Sequence, residues 1–474
     1  MTSPSLSPIQ SLAGTPAATP LGYTSWALFE WARNPYVILV TIYLFAPYFS
    51  NTVVGDPVRG QGLLGYTNAV SGTMIALLAP FLGAVADKNG RRKPWIVTFV
   101  IVMVPCIFLL WFAKPNDGGM GIYPTLALII AVAVLFEFSA VFHNAMLPSV
   151  APWNKVGMVS GLALAFGNFG GLILMIFVLY AFALPGNIDW SFIPDHPLFG
   201  VDQTSEEHNR IVGPLTAVWL LIFSLPLIFF TPDGLQSSVS ISSAIKTGLR
   251  DVWHTLSRLR HYANLALYLI ARMAFNDGMV GVLIFGGVYA SGTFSWDTIT
   301  MLLFGIITSF SAALGAVIGG WLDDHVGSRT AILIAVGGTA VLLAVGVSIQ
   351  PDSLLFFIPF QSDNTLWQLP YFNTLPEFLY LLNTQFFAMF ITVGFASSRT
   401  MMARIAPAEL ITQFFGLYAL SGTATAFMAP LLVGFFTTTF QSQRAGFSSL
   451  IILLTVGFIM MLFVREELAT TAES

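Results

Sequence analysis

Twelve stretches of this chain are long and apolar enough to cross a lipid bilayer, and they leave it one kind of fold. They fall at 26–49, 63–86, 94–113, 122–147, 157–184 and 211–231, then at 262–290, 298–322, 329–350, 377–402, 411–436 and 446–464. Twenty helical residues span the ~30 Å hydrocarbon layer. Lipid admits only helices or closed barrels, and these runs are too long for barrel strands. The expected fold class is therefore an all-α membrane protein with 12 transmembrane helices. Composition agrees: 9% of the 474 residues are charged, against about 25% in a soluble protein.

An even number of spans puts both termini on one side, and the cations choose which. Thirteen Lys and Arg, among them Lys88, Arg91, Arg92, Lys93, Arg329, Arg399 and Arg404, fall in connections on the terminal side. Only Arg59, Lys114, Arg210 and Arg444 fall opposite, and Arg33 and Arg272 lie inside spans. By the positive-inside rule the termini face the cytoplasm. Residues 1–21, rich in Ser, Thr and Pro without Lys or Arg, lack the basic region of a cleavable signal and are expected to be a disordered tail. Residues 232–261 form the long central connection. Within it Ile245, Leu249, Val252, Trp253, Leu256 and Leu259 recur at helical spacing among basic residues, the pattern of a helix on the inner membrane surface or of a solvated linker. The expected organisation is a bundle at 22–231, the linker at 232–261, a bundle at 262–465 and a tail at 466–474.

The two bundles are related. The turn Gly83, Asp87, Gly90, Arg92 returns as Gly320, Asp324, Gly327, Arg329, each pair 237 positions apart. Ala151-Pro152, Gly161 and Gly167 return as Ala406-Pro407, Gly416 and Gly422, at an offset of 255. The difference of 18 residues fits one insertion, for which the long loop at 351–376 has room. Six helices repeated in parallel across a linker describe two pseudo-symmetric six-helix bundles, the major facilitator fold.

The stretch Gly83 to Arg92 resembles the superfamily signature Gly-x-x-x-Asp-x-x-Gly-Arg-Arg. Trp26-Ala-Leu-Phe-Glu-Trp31-Ala-Arg-Asn34, Phe142-His-Asn144-Ala-Met-Leu-Pro148, Ser398-Arg399, Ala403-Arg404-Ile-Ala-Pro407 and Phe414-Phe415-Gly416-Leu417-Tyr418 resemble a narrower branch, that of autophagy-linked vacuolar amino-acid effluxers and their bacterial relatives. One departure is in the first helix, where the branch has Asp before Trp and no Arg after it; here Glu30 and Arg33 stand in those places. The resemblance implies a central cavity lined by helices 1, 4, 7 and 10, a small polar solute with amino acids as leading class, and, for a bacterial relative, a place in the inner membrane. It also implies that Asp87 with Arg91 or Arg92, and their mates in the second half, latch the bundles together at the cytoplasmic side.

An ionisable side chain inside a span costs at least ~2.5–3.5 kcal/mol, so each such residue is a candidate with a partner to find. Glu30 and Arg33 share a helical face, with Asn34 next to them, and Glu137 on helix 4 lies in the same cytoplasmic half, so that the two carboxylates could compete for Arg33. Arg272, Asn276 and Asp277 form the counterpart on helix 7; Arg272 and Asp277 are about 140° apart and must each find a partner elsewhere. Asn383 and Gln385 on helix 10 are the expected meeting point for Asp277. A permanent structural ion pair is the plain alternative for Glu30, Arg33 and Glu137. His143 reads as a satisfied packing residue, and Cys106 is alone.

No metal-ligand spacing, phosphate-binding loop or nucleophile–base pair stands out, so no metal, cofactor, nucleic acid or enzymatic activity is expected. The reading is a proton-coupled secondary transporter acting as a monomer by alternating access. A sugar or organic-acid carrier and a non-transporting sensor or scaffold are the alternatives.

Overall fold

The structure is a computed structural model that describes residues 10–11, 15–88, 91–115, 118–152, 155–188, 190–234, 243, 246, 250, 257, 259, 261–359, 365–406 and 411–466. Among the described residues, twelve helices are long and apolar enough to cross a membrane. In chain order they are α1 (Pro20–Val53), α2 (Pro57–Lys88), α3 (Lys93–Leu109), α4 (Ile122–Val150), α5 (Val156–Val178), α6 (Val212–Phe230), α7 (Ala263–Phe294), α8 (Thr298–Val326), α9 (Ser328–Ser348), α10 (Leu375–Ile405), α11 (Ile411–Thr423 and Met428–Phe440) and α12 (Gln443–Phe463). They form two six-helix bundles. The amphipathic pattern at 243–259 lies mostly outside the described residues. Helix α1 begins earlier than its apolar run: Thr19 caps it, accepting from the Gly22 amide at 3.2 Å, with Pro20 in the first turn.

Helices α1 and α11 depart from regular geometry near prolines, while α5 runs on into a π-type turn over Leu179–Ala183. α1 widens into π-type turns over Tyr36–Tyr43 directly after Pro35. α11 is broken between Thr423 and Met428. Pro430 has no amide to donate and its ring crowds the Ala426 carbonyl, so the helix restarts one turn earlier.

Each bundle is tied on the terminal side by the same device. The Asp233 carboxylate, just past α6, accepts from the Arg92 and Lys93 amides at the start of α3, at 2.9 and 3.2 Å. Glu466, just past α12, accepts from the Ser328 and Arg329 amides at the start of α9, both at 2.9 Å. An anion at a helix N-terminus satisfies free amides and opposes the dipole. Lys93 Nζ reaches the Ile228 and Thr231 carbonyls that end α6, and Arg329 reaches Leu462 O at the end of α12. Lys93 is thus the partner of Arg329, 236 positions away, which corrects the sequence pairing of Arg92 with Arg329 by one residue.

Glu466 also takes an ion pair from Arg404 at 2.7 Å. Burial pushes its carboxyl up, but the Arg329 amide, the Arg404 guanidinium and the Ser328 amide hold it below the usual carboxylate range. A carboxyl lowered on folding contributes stability above its unfolded value of about 4.3 and loses it as pH falls through the folded value. Glu466→Gln is therefore expected to cost about 1 kcal/mol at pH 7, a deficit lost at an acid pH below the folded value of the carboxyl. Thermal denaturation of the two proteins at both pH values measures it; an equal deficit at both would reject the charged cap.

Candidate functional site

The halves touch on the side away from the termini and part toward them. A methyl group placed at Gly65 of α2 would lie 2.6 Å from the Gly434 backbone of α11, and one at Gly72 2.7 Å from Ala426. Only glycine allows backbones this close. The mirror pair, α5 and α8, meets through Met175 and Gly305. On the terminal side, among the described residues, nothing lies within 4 Å of such a methyl at Gly83, Gly161, Gly320 or Gly416. Among the described residues every hydrogen bond between the halves lies on the far side. Asn51 donates to Ser291 at 2.7 Å, Gln61 to Thr437 at 2.8 Å, and Tyr66 meets Thr438 at 3.0 Å. Thr298 of α8 gives its one hydroxyl proton to Asn209, at 2.8 Å, and so accepts from His208, at 2.9 Å.

Residues 185–210, in which the sequence showed no chemistry, thus supply part of this closure. Arg210 anchors them: it is 2% exposed, lies over the Trp111 ring and donates to Trp111 O and Ser205 O. A cavity of about 470 Å³ with Glu206, His208 and Asp297 in its wall occupies this rim. Deeper, a cavity of about 50 Å³ is lined by Tyr36, Thr41 and Asn68 together with Ile129 and Phe285, from α1, α2, α4 and α7. It has room for a few waters.

The candidate charges inside the spans lie on α1, α4 and α7. In the first half, Arg33 donates its Nε to Glu30 Oε2 at 3.0 Å and its Nη1 to Phe136 O and Ser139 Oγ on α4, with the guanidinium 4.2 Å from the centre of the Phe136 ring. Glu137 is half-buried alongside, without an ion-pair contact among the described residues. Asn34 packs over Gly167 of α5. His143 completes the group. It is fully buried, stacked on Trp26 at 4.3 Å, and its Nδ1 lies 3.3 Å from Glu30 Oε1. The reading of His143 as a packing residue misses that contact, which joins two helices 113 residues apart in sequence.

In the second half, α7 brackets the break in α11. Arg272 donates to Tyr418 O at 2.8 Å and Ser421 Oγ at 2.6 Å, at the end of the first segment, and stacks 3.6 Å from the Tyr418 ring centre. Asp277 accepts from the Ala429 amide at 3.1 Å, at the start of the second segment. A cation therefore meets the negative end of one half-helix and a carboxylate the positive end of the next. This corrects the expected meeting of Asp277 with Asn383 and Gln385. Asn383 donates to Leu342 O on α9, and Gln385 accepts from Ser311 on α8. Asn276 is half-buried with no hydrogen-bond partner among the described residues.

On the terminal side, Gly90 and the Asp87 side chain lie outside the described residues. Arg91, Asp324 and Arg399 are exposed. The ion pair at the α8–α10 ends is instead Arg404 with Asp323, at 3.0 Å, inside the second bundle. Among the described residues no group of three or more metal-ligating side chains occurs.

The family described as "Vacuole effluxer Atg22 like" matches residues 50–473. A Bacillus subtilis (strain 168) protein named "Uncharacterized MFS-type transporter YxiO" is 25% identical over 94% of this chain and 95% of its own length. Autophagy-related protein 22 of Schizosaccharomyces pombe is 22% identical over 52% of this chain, and the match spans only 46% of that protein. Among solved structures, a D-xylose-proton symporter superposes with TM-score 0.63 at 14% identity, covering 94% of this chain and 97% of the other. The nucleoside transporter NupG (D323A mutant) gives 0.62 at 11%, covering 93% and 98%; at such identities both show the fold alone. Twelve spans in two bundles, parted on one side of buried charges, and a family match over most of the chain together identify it: this protein belongs to the vacuole effluxer Atg22-like family and is a multi-pass membrane transporter of the major facilitator fold.

Proposed function

We propose that the protein carries a small polar solute, amino acids being the favoured class, by proton-coupled alternating access. The observation that carries this reading is the one-sided contact between the bundles: closed by glycine-to-backbone packing on the far side, open on the terminal side. Such an interface is half of a two-state gate, and a static scaffold has no use for it. The terminal side, rich in Lys and Arg, is taken as the cytoplasm of a bacterial cell, so the structure is inward-facing. The turns Gly83–Arg92 and Gly320–Arg329 then form the gate that closes in the opposite state. Bundle boundaries at 22–231 and 262–465 and function as a monomer belong to the same reading, which involves no catalytic step.

A zwitterion needs both signs of charge within reach, and Glu30, Glu137 and Asp277 beside Arg33 and Arg272 supply them. A sugar or organic acid is the second reading, since acids, amides and aromatic rings also line this region. Purified protein in vesicles, offered labelled amino acids, sugars and organic acids under an imposed pH gradient, is expected to accumulate one or more amino acids. Accumulation of a sugar or an organic acid alone would replace the favoured class. No accumulation and no thermal stabilisation by any of the three would leave a scaffold.

A further inference from the structure

We propose that Glu30 and His143 hold one proton between them and that this pair is the proton-binding site of the transport cycle. The inference rests on the proton-coupled reading above and names where that proton sits.

His143 Nε2 lies 2.9 Å from the Trp26 carbonyl oxygen. A carbonyl only accepts, so Nε2 carries hydrogen. The Trp26 indole donates to the His143 backbone carbonyl at 2.9 Å and stacks on the imidazole at 4.3 Å. In a neutral imidazole Nδ1 is then a bare lone pair, and it stands 3.3 Å from Glu30 Oε1. Two acceptors facing each other away from water are unfavourable. A proton between them, as imidazolium with carboxylate or as imidazole with carboxylic acid, turns the contact into attraction. Among the described residues Nδ1 has no other partner.

The surroundings offer little else to balance charge. Arg33 holds the other oxygen of Glu30, and Glu137 is the remaining acid nearby on α4. α5 and α6, which pack against α1, carry no titratable or charged side chain over Val156–Val178 and Val212–Phe230. α3 faces α4 with Trp95 and Phe99, while its Lys93 is held at the end of α6. α2 brings Asp87 and Lys88, whose side chains lie outside the described residues. With the proton in place, Arg33 and the imidazolium match Glu30 and Glu137. Without it, Arg33 alone faces two carboxylates. His143 is sealed at 0% exposure and the Glu30 side chain is 18% exposed, so Glu30 is the way in and out.

Nitrogen-15 labelling of the six histidines and carbon-13 labelling of glutamate carboxyls, read by NMR in lipid nanodiscs at pH 7, tests the proton directly. His143→Gln and Glu30→Gln assign the signals. The expected result is one proton in the pair: Nδ1 protonated, or the Glu30 carboxyl protonated. A bare Nδ1 beside an ionised Glu30 in the wild-type protein overturns the proposal. In vesicles loaded with a mixture of amino acids, His143→Gln is expected to lose the response to a pH gradient while keeping exchange at equal pH. Retention of the full response overturns the role in the cycle. A wild-type protein that exchanges amino acids but ignores the gradient overturns that role and the proton-coupled reading together, and the shared proton is then decided by NMR alone.

Discussion

Vesicles containing Gly62→Cys with Thr438→Cys, in a Cys106→Ser background, are expected to lose uptake on oxidation and recover it on reduction. A Cβ at Gly62 of α2 would lie 2.7 Å from Thr438 Cγ2 of α11. The two Cβ atoms therefore fall near the ~3.5–4.5 Å separation a disulfide requires without moving the backbone. The bond joins the two bundles on the far side, where this structure has them closed, and forbids the outward-facing state. Uptake should fall to the level of protein-free vesicles, the largest effect a single bond can have on a carrier. The reverse change is Gly65→Val, whose side chain collides with Gly434; it should hold the far side open and raise the labelling of a cysteine placed at Asn51. If the oxidised protein transports at the reduced rate, the bundles do not need to part there and alternating access is wrong.

Arg33→Ala should be the most damaging single substitution to stability. It leaves the Glu30 carboxylate without its 3.0 Å guanidinium partner and removes the donor to Phe136 O and Ser139 Oγ. Breaking one side of a buried pair costs about 3–5 kcal/mol, which for a bundle of this size is roughly 10 °C in melting temperature. Glu30→Gln with Arg33→Gln removes both charges and should recover most of that loss. Failure of the double variant to recover would mean that Arg33 acts through the α4 backbone alone, and the pair would not be an energetic unit. A loss under ~1 kcal/mol for Arg33→Ala would place the group in water, where ion pairs contribute little.

The comparison of the two arginines shows where sequence reasoning stops. Arg33 and Arg272 were legible as candidates because a charge in an apolar run has no neutral explanation. Their partners were not equally legible. Glu30 stands three residues from Arg33, a spacing that geometry alone pairs. Arg272 and Asp277 bond to the carbonyl of Tyr418 and the amide of Ala429, and backbone groups have no letter in a sequence. Asn383 and Gln385 were nominated for Asp277 because they were polar and at the right depth. Depth does not say which face of a helix a residue occupies.

The sequence by itself determined the solvent, the number of spans and the duplication. Each of these follows from hydropathy, length or register, which are properties of a chain read one residue at a time. The tertiary structure decided that Asp323 and Arg404 pair on the terminal side. It also decided that α11 breaks between the two charges of α7, and that His143 turns a nitrogen toward Glu30. The physical reason is rotational: one residue along a helix turns the side chain by about 100°, so its neighbour is set by how helices pack, and packing is written in pairs of surfaces rather than in either sequence alone.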